Sequence, residues 1–425
     1  MPANSCASFG IDRPALIRYH ASWIVPIGAP PIRDGWVGIE NGRIAACGAN
    51  ADNGGTIASD ARDIDLGEAA ILPGLVNAHT HLELSYLRGR VLAGPTFVSW
   101  IRALMATRRD YPDPNAPEIL AGIEAGITEA IRCGTAVVGD ICNTWATCGP
   151  LGASALDGVV FYEILGFNPD DPIALVDRAL EAIHAASSVH GIRTSLAAHA
   201  PYSVAPAVLR AIAAAVETDG LPACSVHLSE SAEEVEFVRT GGGAWRVLLG
   251  DFGVWNPAWL VPGVSPVQYL DDQGFLGSRV LAIHGTQMTA DDLQRLAARR
   301  TTLVACPRSN AHTGAGAPPI EQFYTSGVQV AVGTDSLAST ADLNIFSELA
   351  TMRTLARRVP AALLLDSATR QGARALGLDT DFGTITAGKR ARLISVTVPS
   401  GVDDVEEYLV SGIDSEQIAW LSADG

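Results

Sequence analysis

The sequence predicts an α/β protein: a (β/α)8 barrel carrying a small β-sandwich domain built from both chain ends. Three observations predict it. Eight short β-rich runs recur through the middle of the chain, and helical patterns separate most of them. Both ends read as strands and turns. Histidines and an aspartate fall at the ends of the apolar runs, where a parallel barrel keeps its working face.

The amino-terminal part, from about Leu16 to Asp65, is rich in strand residues and turns. Asn41-Gly42, between two β-rich runs, is a hairpin signal. The segment from Gly383 to Val396 has the same character and is expected to complete the same small domain. The expected division is therefore 1–67 and 383–425 for the β-sandwich domain and 68–382 for the barrel. After the apolar run ending at His79, the β-rich runs are Thr135–Cys142, Gly158–Gly166, Arg193–Pro201, Pro222–Glu230, Arg279–Gly285, Thr302–Asn310 and Val328–Ser336. Helical patterns cover Pro117–Cys133, Asp171–Ser188, Ala205–Glu217, Ala290–Arg299 and Pro319–Ser326. Such alternation means parallel strands, since parallel neighbours need crossover connections. Two connections exceed what a barrel needs: Glu83 to Asn115, with the apolar patch Phe97–Met105 containing Trp100, and Glu233 to Gly277, rich in glycine, tryptophan and proline. Loops that follow barrel strands lie over the active face, so both are expected as pocket walls or lids.

Composition sets bounds. A chain of 425 residues with 48% hydrophobic and 18% charged residues reads as an ordinary globule. Its formal net charge of −17 argues against a nucleic-acid partner, whose phosphates attract basic surfaces. Seven cysteines without paired spacing suggest reduced thiols and a cytoplasmic home. Met1–Gly10 lacks the order of a signal peptide, and no apolar run is long enough to span a membrane.

His79 and His81 form the core of the chemical reading. Alternate side chains of a strand share a face, so the two imidazoles point the same way and can grip one metal ion. His199 ends Ser195-Leu-Ala-Ala-His, His227 ends Cys224-Ser-Val-His, His284 ends Val280-Leu-Ala-Ile-His, and Asp335 ends Val330-Ala-Val-Gly-Thr-Asp. A lone histidine after an apolar run is usually structural. Five histidines and an aspartate, all at strand ends, favour a site. His20, His184 and His190 lack that placement and are read as surface residues.

Six motifs, Pro73-Gly-Leu-Val-Asn-Ala-His-Thr-His, His199-Ala-Pro-Tyr, His227-Leu-Ser-Glu230, His284-Gly, Cys306-Pro-Arg-Ser-Asn and Gly333-Thr-Asp335-Ser, occur in that order. In them the chain resembles the amidohydrolase superfamily, in its adenosine/cytosine-type deaminase branch. The resemblance implies one divalent metal, zinc or iron, held by His79, His81, His227 and Asp335. It implies Glu230 as proton shuttle, His284 with Asp335 beside the metal-bound water, and His199 against the substrate. Such a metal lowers the pKa of its water, and the resulting hydroxide attacks the amino-bearing ring carbon with release of ammonia. Binuclear relatives bridge two metals with a lysine near the end of the fourth strand. Here that strand reads Arg193-Thr-Ser-Leu-Ala-Ala-His and has none. Relatives also place an acid after Lys-Arg-Ala where this chain has Arg392, which bears on packing of the β unit.

His199-Ala-Pro-Tyr and His227-Leu-Ser-Glu230 resemble deaminases of adenine nucleosides, and Thr240-Gly-Gly-Gly-Ala-Trp, Pro266-Val-Gln-Tyr-Leu-Asp and Cys306-Pro-Arg-Ser-Asn resemble the aminofutalosine deaminases. The favoured substrate is therefore 6-aminodeoxyfutalosine, an adenine nucleoside with a carboxybenzoyl group, ahead of adenosine, methylthioadenosine, S-adenosylhomocysteine and guanine. Glu83 is expected on the ribose, Trp100 in the pocket wall, and Arg308 on the carboxylate, with Arg88 and Arg102 as rivals. The resemblance implies a homodimer. A triazine- or imidazolone-type C–N hydrolase and a catalytically dead binding protein are the competing readings.

Overall fold

In the computed structural model, residues 16–52, 61–186 and 191–422 are described. Met1–Gly10 and His190, both read above, lie outside them. Eight parallel strands follow one another in chain order: β6 (Leu75–Thr80), β7 (Thr135–Cys142), β8 (Asp157–Ile164), β9 (Ile192–Ala198), β10 (Cys224–Leu228), β11 (Val280–His284), β12 (Thr302–Ala305) and β13 (Gln329–Val332). Every residue of these strands is buried except Tyr162, Arg193 and Gln329. That is why they read as apolar runs and not as alternating patterns. Helices Pro117–Arg132, Pro172–Ala186, Pro206–Thr218, Ala290–Arg299 and Ile320–Thr325 lie between them, close to the expected spans. Four of these five begin on or beside a proline, which fits a helix's first turn.

The barrel closes between its first and last strands. Asn77 is wholly buried; its side-chain Nδ2 donates to Thr334 Oγ1 (2.8 Å) and its Oδ1 accepts from the Thr334 backbone N–H (3.0 Å). Asp335 N–H donates to His79 O at 3.0 Å. Gly333 permits this approach, because a Cβ there would sit 2.7 Å from His79 O.

Both ends of the chain join in one mixed seven-stranded sheet. Its strands are β1 (Ile17–Ile24), β2 (Ile32–Glu40), β3 (Arg43–Ala49), β4 (Arg62–Asp65), β5 (Ala69–Pro73), β14 (Leu393–Thr397) and β15 (Ile418–Trp420). Asn41 and Gly42 turn β2 into β3 with positive φ, as the hairpin signal requires. Ala69–Pro73, which the expected boundary at 67/68 assigns to the barrel, pairs instead with β1 and β14. Gly74 separates it from β6, and a Cβ there would lie 2.6 Å from Ala136 Cβ. Arg392 stacks on Trp420 at 4.4 Å and donates to Ala155 O, so the unusual cation is accommodated by the sheet's own aromatic. His184 is exposed, whereas His20 is half-buried between Asn50 and Asp63. No helix among the described residues is long and apolar enough to cross a membrane.

Removing the closing amide strands the buried Thr334 N–H and takes a donor from Thr334 Oγ1, which keeps only its bond to Asp335 O. Asn77→Ala should lower unfolding stability by about 2–4 kcal/mol, read as an earlier urea midpoint. An unchanged midpoint would show that the seam does not depend on this residue.

Candidate active site

The strand ends deliver their polar residues to one point. The ligand atoms of His79, His81 and His227 lie within 4.8 Å of one another. Asp335 Oδ1 is 3.8 Å from His79 Nε2 and 3.6 Å from His81 Nε2. Donors about 2.1 Å from a shared ion stand roughly 3.3–4.2 Å apart; both Asp335 spacings fall in that range, and the three histidines lie close to it. His79 is the telling member. It is 0% exposed, and neither ring nitrogen has a hydrogen-bond partner. A fully buried imidazole with two unpaired nitrogens is costly unless something else coordinates it.

Each neighbour is held in a donor orientation. The ring Nδ1–H of His227 donates to His199 O (2.8 Å), which turns the lone pair of Nε2 toward the cluster. Ser309 Oγ and Ser339 Oγ both donate to Asp335 Oδ2, leaving Oδ1 for the histidines. His284 and Asp335 have φ of 77° and 61°, a left-handed conformation costing about 1–3 kcal/mol each at a non-glycine residue. Burial drives the imidazoles toward their neutral, donor form: His79 well below the usual value, His199 to about 4 and His284 to about 3. Burial also pushes Asp335 up, but the facing His81 and His284 and the Ser309 hydroxyl outweigh it and hold the carboxyl low.

Glu230 is pushed the other way. Burial raises its carboxyl well above the usual range, and the nearby Asp335 charge adds to the effect. Its Oε1 lies 3.6 Å from His284 Nε2, while Asn310 Nδ2 donates to His284 Nδ1 at 3.1 Å. Glu234 fixes the loop carrying Glu230: its two carboxylate oxygens accept the backbone N–H groups of Ser229 and Glu230, each at 2.8 Å. Ser231 caps the helix Ala232–Thr240 that begins there.

A cavity opens over the cluster, lined by His81, Trp100, Leu104, His199, Tyr202 and Glu230 among others. Its free volume is about 70 Å³, small beside the roughly 300–1,000 Å³ of ordinary ligand pockets. Phe97, Trp100, Ile101 and Leu104, from the helix Phe97–Arg109 in the first long connection, fill the rest. Tyr202 stacks on Trp245 of the second long connection, with ring centroids 3.7 Å apart.

Two expectations are corrected. Arg308 does not face the cavity. The chain turns from β12 into the helix Pro307–Thr313, which swings the guanidinium outward onto Asp342 (2.8 Å) and Glu348 (3.6 Å). Glu83 is buried beneath the mouth and does not line the metal-donor cavity. Its Oε2 accepts from Asn143 N–H (3.1 Å) and Thr144 Oγ1 (2.9 Å), because a buried carboxylate must spend its oxygens on nearby donors. The rivals Arg88 and Arg102 pair with Glu129 and Asp251.

One acid was missed. Glu163 is the penultimate residue of the third barrel strand, and its Oε1 lies 3.6 Å from His227 Nδ1. Burial opposes its charge, yet His199, His227 and His81 together hold its carboxyl below the ordinary range. The signal that marked the histidines, a polar residue near the end of an apolar strand, was present for it too.

A profile of the amidohydrolase family matches residues 70–412. A 5-methylthioadenosine/S-adenosylhomocysteine deaminase of Moorella thermoacetica is 30% identical over 418 residues, spanning 93% of this chain and 90% of that one. An aminodeoxyfutalosine deaminase of Deinococcus radiodurans is 31% identical over 333 residues, 74% and 75% of the two chains. Among solved structures, an adenosine deaminase from Xanthomonas campestris with bound zinc superimposes with a TM-score of 0.81 at 27% identity, covering 97% of this chain and 92% of that one. A Helicobacter pylori aminofutalosine deaminase in complex with methylthio-coformycin shares the fold at the same TM-score, 22% identity and 95% and 100% coverage. With the family profile spanning most of its length, the chain belongs to the amidohydrolase family.

Proposed function

We propose that the protein is a metal-dependent hydrolytic deaminase of an adenine-type nucleoside, with 6-aminodeoxyfutalosine the favoured substrate. The observation that carries the reading is the convergence of His79, His81, His227 and Asp335 around a buried imidazole that has no other partner. A divalent ion in that position, zinc before iron, would supply Lewis acidity and bring a water's pKa toward neutrality.

The protein's own groups supply the rest. Glu230 lies beside the donors and its raised proton affinity suits it, in its ionised form, to take the water's proton, pass it to the ring nitrogen and then carry the proton of the added hydroxyl to the departing ammonia. His284, anchored by Asn310, and Asp335 would hold the attacking water between them. Ser203 fixes the His199 ring (Nδ1 to Oγ, 2.6 Å), so its other edge can meet the heterocycle. Phe97, Trp100 and Leu104 cover the ring and exclude bulk water, which strengthens every charge interaction inside. The overall change is replacement of a ring amino group by oxygen, with one water consumed and one ammonia released. Support for an adenine nucleoside comes from the two deaminase relatives and the zinc-bound neighbour. A cytoplasmic homodimer belongs to the same reading. It rests on the superfamily resemblance and the free cysteines, and light scattering tests its dimeric part.

Three outcomes test this reading. The purified protein should carry about one divalent ion per chain, and His79→Ala or Asp335→Ala should lose it together with activity; full metal and turnover in either variant overturns the ligand set. Glu230→Gln keeps shape and metal but cannot shuttle a proton, so turnover should fall at least about a hundredfold. Ammonia release from aminodeoxyfutalosine, adenosine, methylthioadenosine, S-adenosylhomocysteine and guanine, compared side by side, should favour the first. If guanine or a plain adenosine derivative wins, the substrate assignment fails and the deaminase survives.

A further inference from the structure

Beside the donor cavity lies a second pocket of about 220 Å³, lined by Glu83, Leu84, Tyr86, Arg108, Tyr111 and Pro112 among others. Leu84 lines both. The helix Phe97–Arg109 joins them along one face: Trp100, Leu104 and Arg108 follow at i, i+4 and i+8, so their side chains stand in a row. The first two cover the metal-donor cavity, and the third lies in the outer pocket. A ligand with its ring under Trp100 and a tail running along this row reaches Arg108.

Arg108 differs from Arg88, Arg102 and Arg308 in its partners. Arg88, Arg102 and Arg308 each have a carboxylate within 2.8 Å. Arg108 has Glu83 Oε1 at 3.5 Å, and no other carboxylate among the described residues lies within ion-pair distance. Glu83 is committed elsewhere through its second oxygen, to Asn143 N–H and Thr144 Oγ1. A guanidinium has five N–H donors in a planar fork, so a single long contact leaves an edge able to take a carboxylate in bidentate fashion. The side chain is 29% exposed, reachable from the pocket yet partly shielded from water. Tyr86 and Tyr111 meet edge to face at 5.0 Å, and with Pro112 and Pro114 they give flat apolar walls suited to an aromatic spacer.

We propose that this pocket is the subsite for an anionic, carboxylate-bearing aromatic tail on the sugar of the nucleoside, with Arg108 as its partner. The proposal rests on the deaminase reading for the ring's position and assigns the tail specificity to a residue outside the donor set.

The experiment uses two 5′-substituted adenosines of equal shape, one ending in a benzoate and the other in the neutral benzamide. Binding to the metal-loaded protein is measured by calorimetry, and ammonia release is followed in parallel. The wild type should bind the acid at least about tenfold more tightly than the amide, and Arg108→Gln should abolish that preference. Arg108→Lys, which keeps the charge and loses the fork, should retain a reduced preference and covers the case in which the glutamine variant does not fold. Equal affinity for acid and amide in the wild type, a preference that survives Arg108→Gln, or no binding of either compound overturns the subsite. Acid-selective binding without ammonia release from any adenine nucleoside would sink the deaminase reading and leave the subsite standing.

Discussion

The seam between the first and eighth barrel strands is the constraint on which the rest of the site depends. The peptide that brings His79 to the centre is the one that accepts the N–H of Asp335, so closing the barrel and assembling the donors are one event. Asn77 and Thr334 lock the register two residues below, and a slip of one residue would turn His79 to the opposite face. Gly333 allows the backbones to approach closely enough for both. The left-handed turns at His284 and Asp335 are the strain that this geometry carries, and the closed barrel holds it in place.

Charge follows from that geometry. Burial drives His79, His81, His199 and His284 neutral, Asp335 stays ionised among them, and Glu230 is pressed toward its protonated form by the same burial and by Asp335's charge. The two carboxyls differ because their partners differ. Asp335 has histidines and serine hydroxyls, whereas acids stand around Glu230, with Glu234 binding the backbone beneath it. Such separation of neighbouring carboxyls divides acid–base work between them. It also leaves the centre rich in neutral lone pairs and short of positive charge, the condition in which a divalent cation is held well.

Much of this was legible in the sequence because strand ends carry a local signature. His79, His199, His227, His284 and Asp335 each interrupt an apolar run at its carboxyl end, and the eight runs matched eight strands. What was not legible depended on chain direction after the strand. Arg308 comes directly after Cys306-Pro307, and the helix opening there carries it outward; linear distance from the strand end cannot show that turn. Glu83 falls two residues beyond His81, in a short 3₁₀ turn that presses it inward to Asn143 and Thr144. The run from Ala69 to Thr80 reads as one strand, yet Gly74 divides it between two sheets, because buried strands of either sheet share the same composition. Glu163 escaped notice as a single carboxylate whose partners come from other strands.

The division of labour between strands and insertions explains why ring chemistry and tail specificity can be separated in this molecule. Every donor and proton-handling residue sits on or directly after a barrel strand, held by backbone hydrogen bonds and hydroxyls that a change elsewhere would not move. The covering residues come from the helix Phe97–Arg109 and, through Trp245 against Tyr202, from the helix Gly243–Asp251. That cover leaves little free volume over the donors, and the helix that supplies Phe97, Trp100, Ile101 and Leu104 to it also carries Arg108. Binding energy from the far end of a substrate can therefore act on the element that covers the reacting ring, which is how remote contacts come to raise turnover as well as affinity.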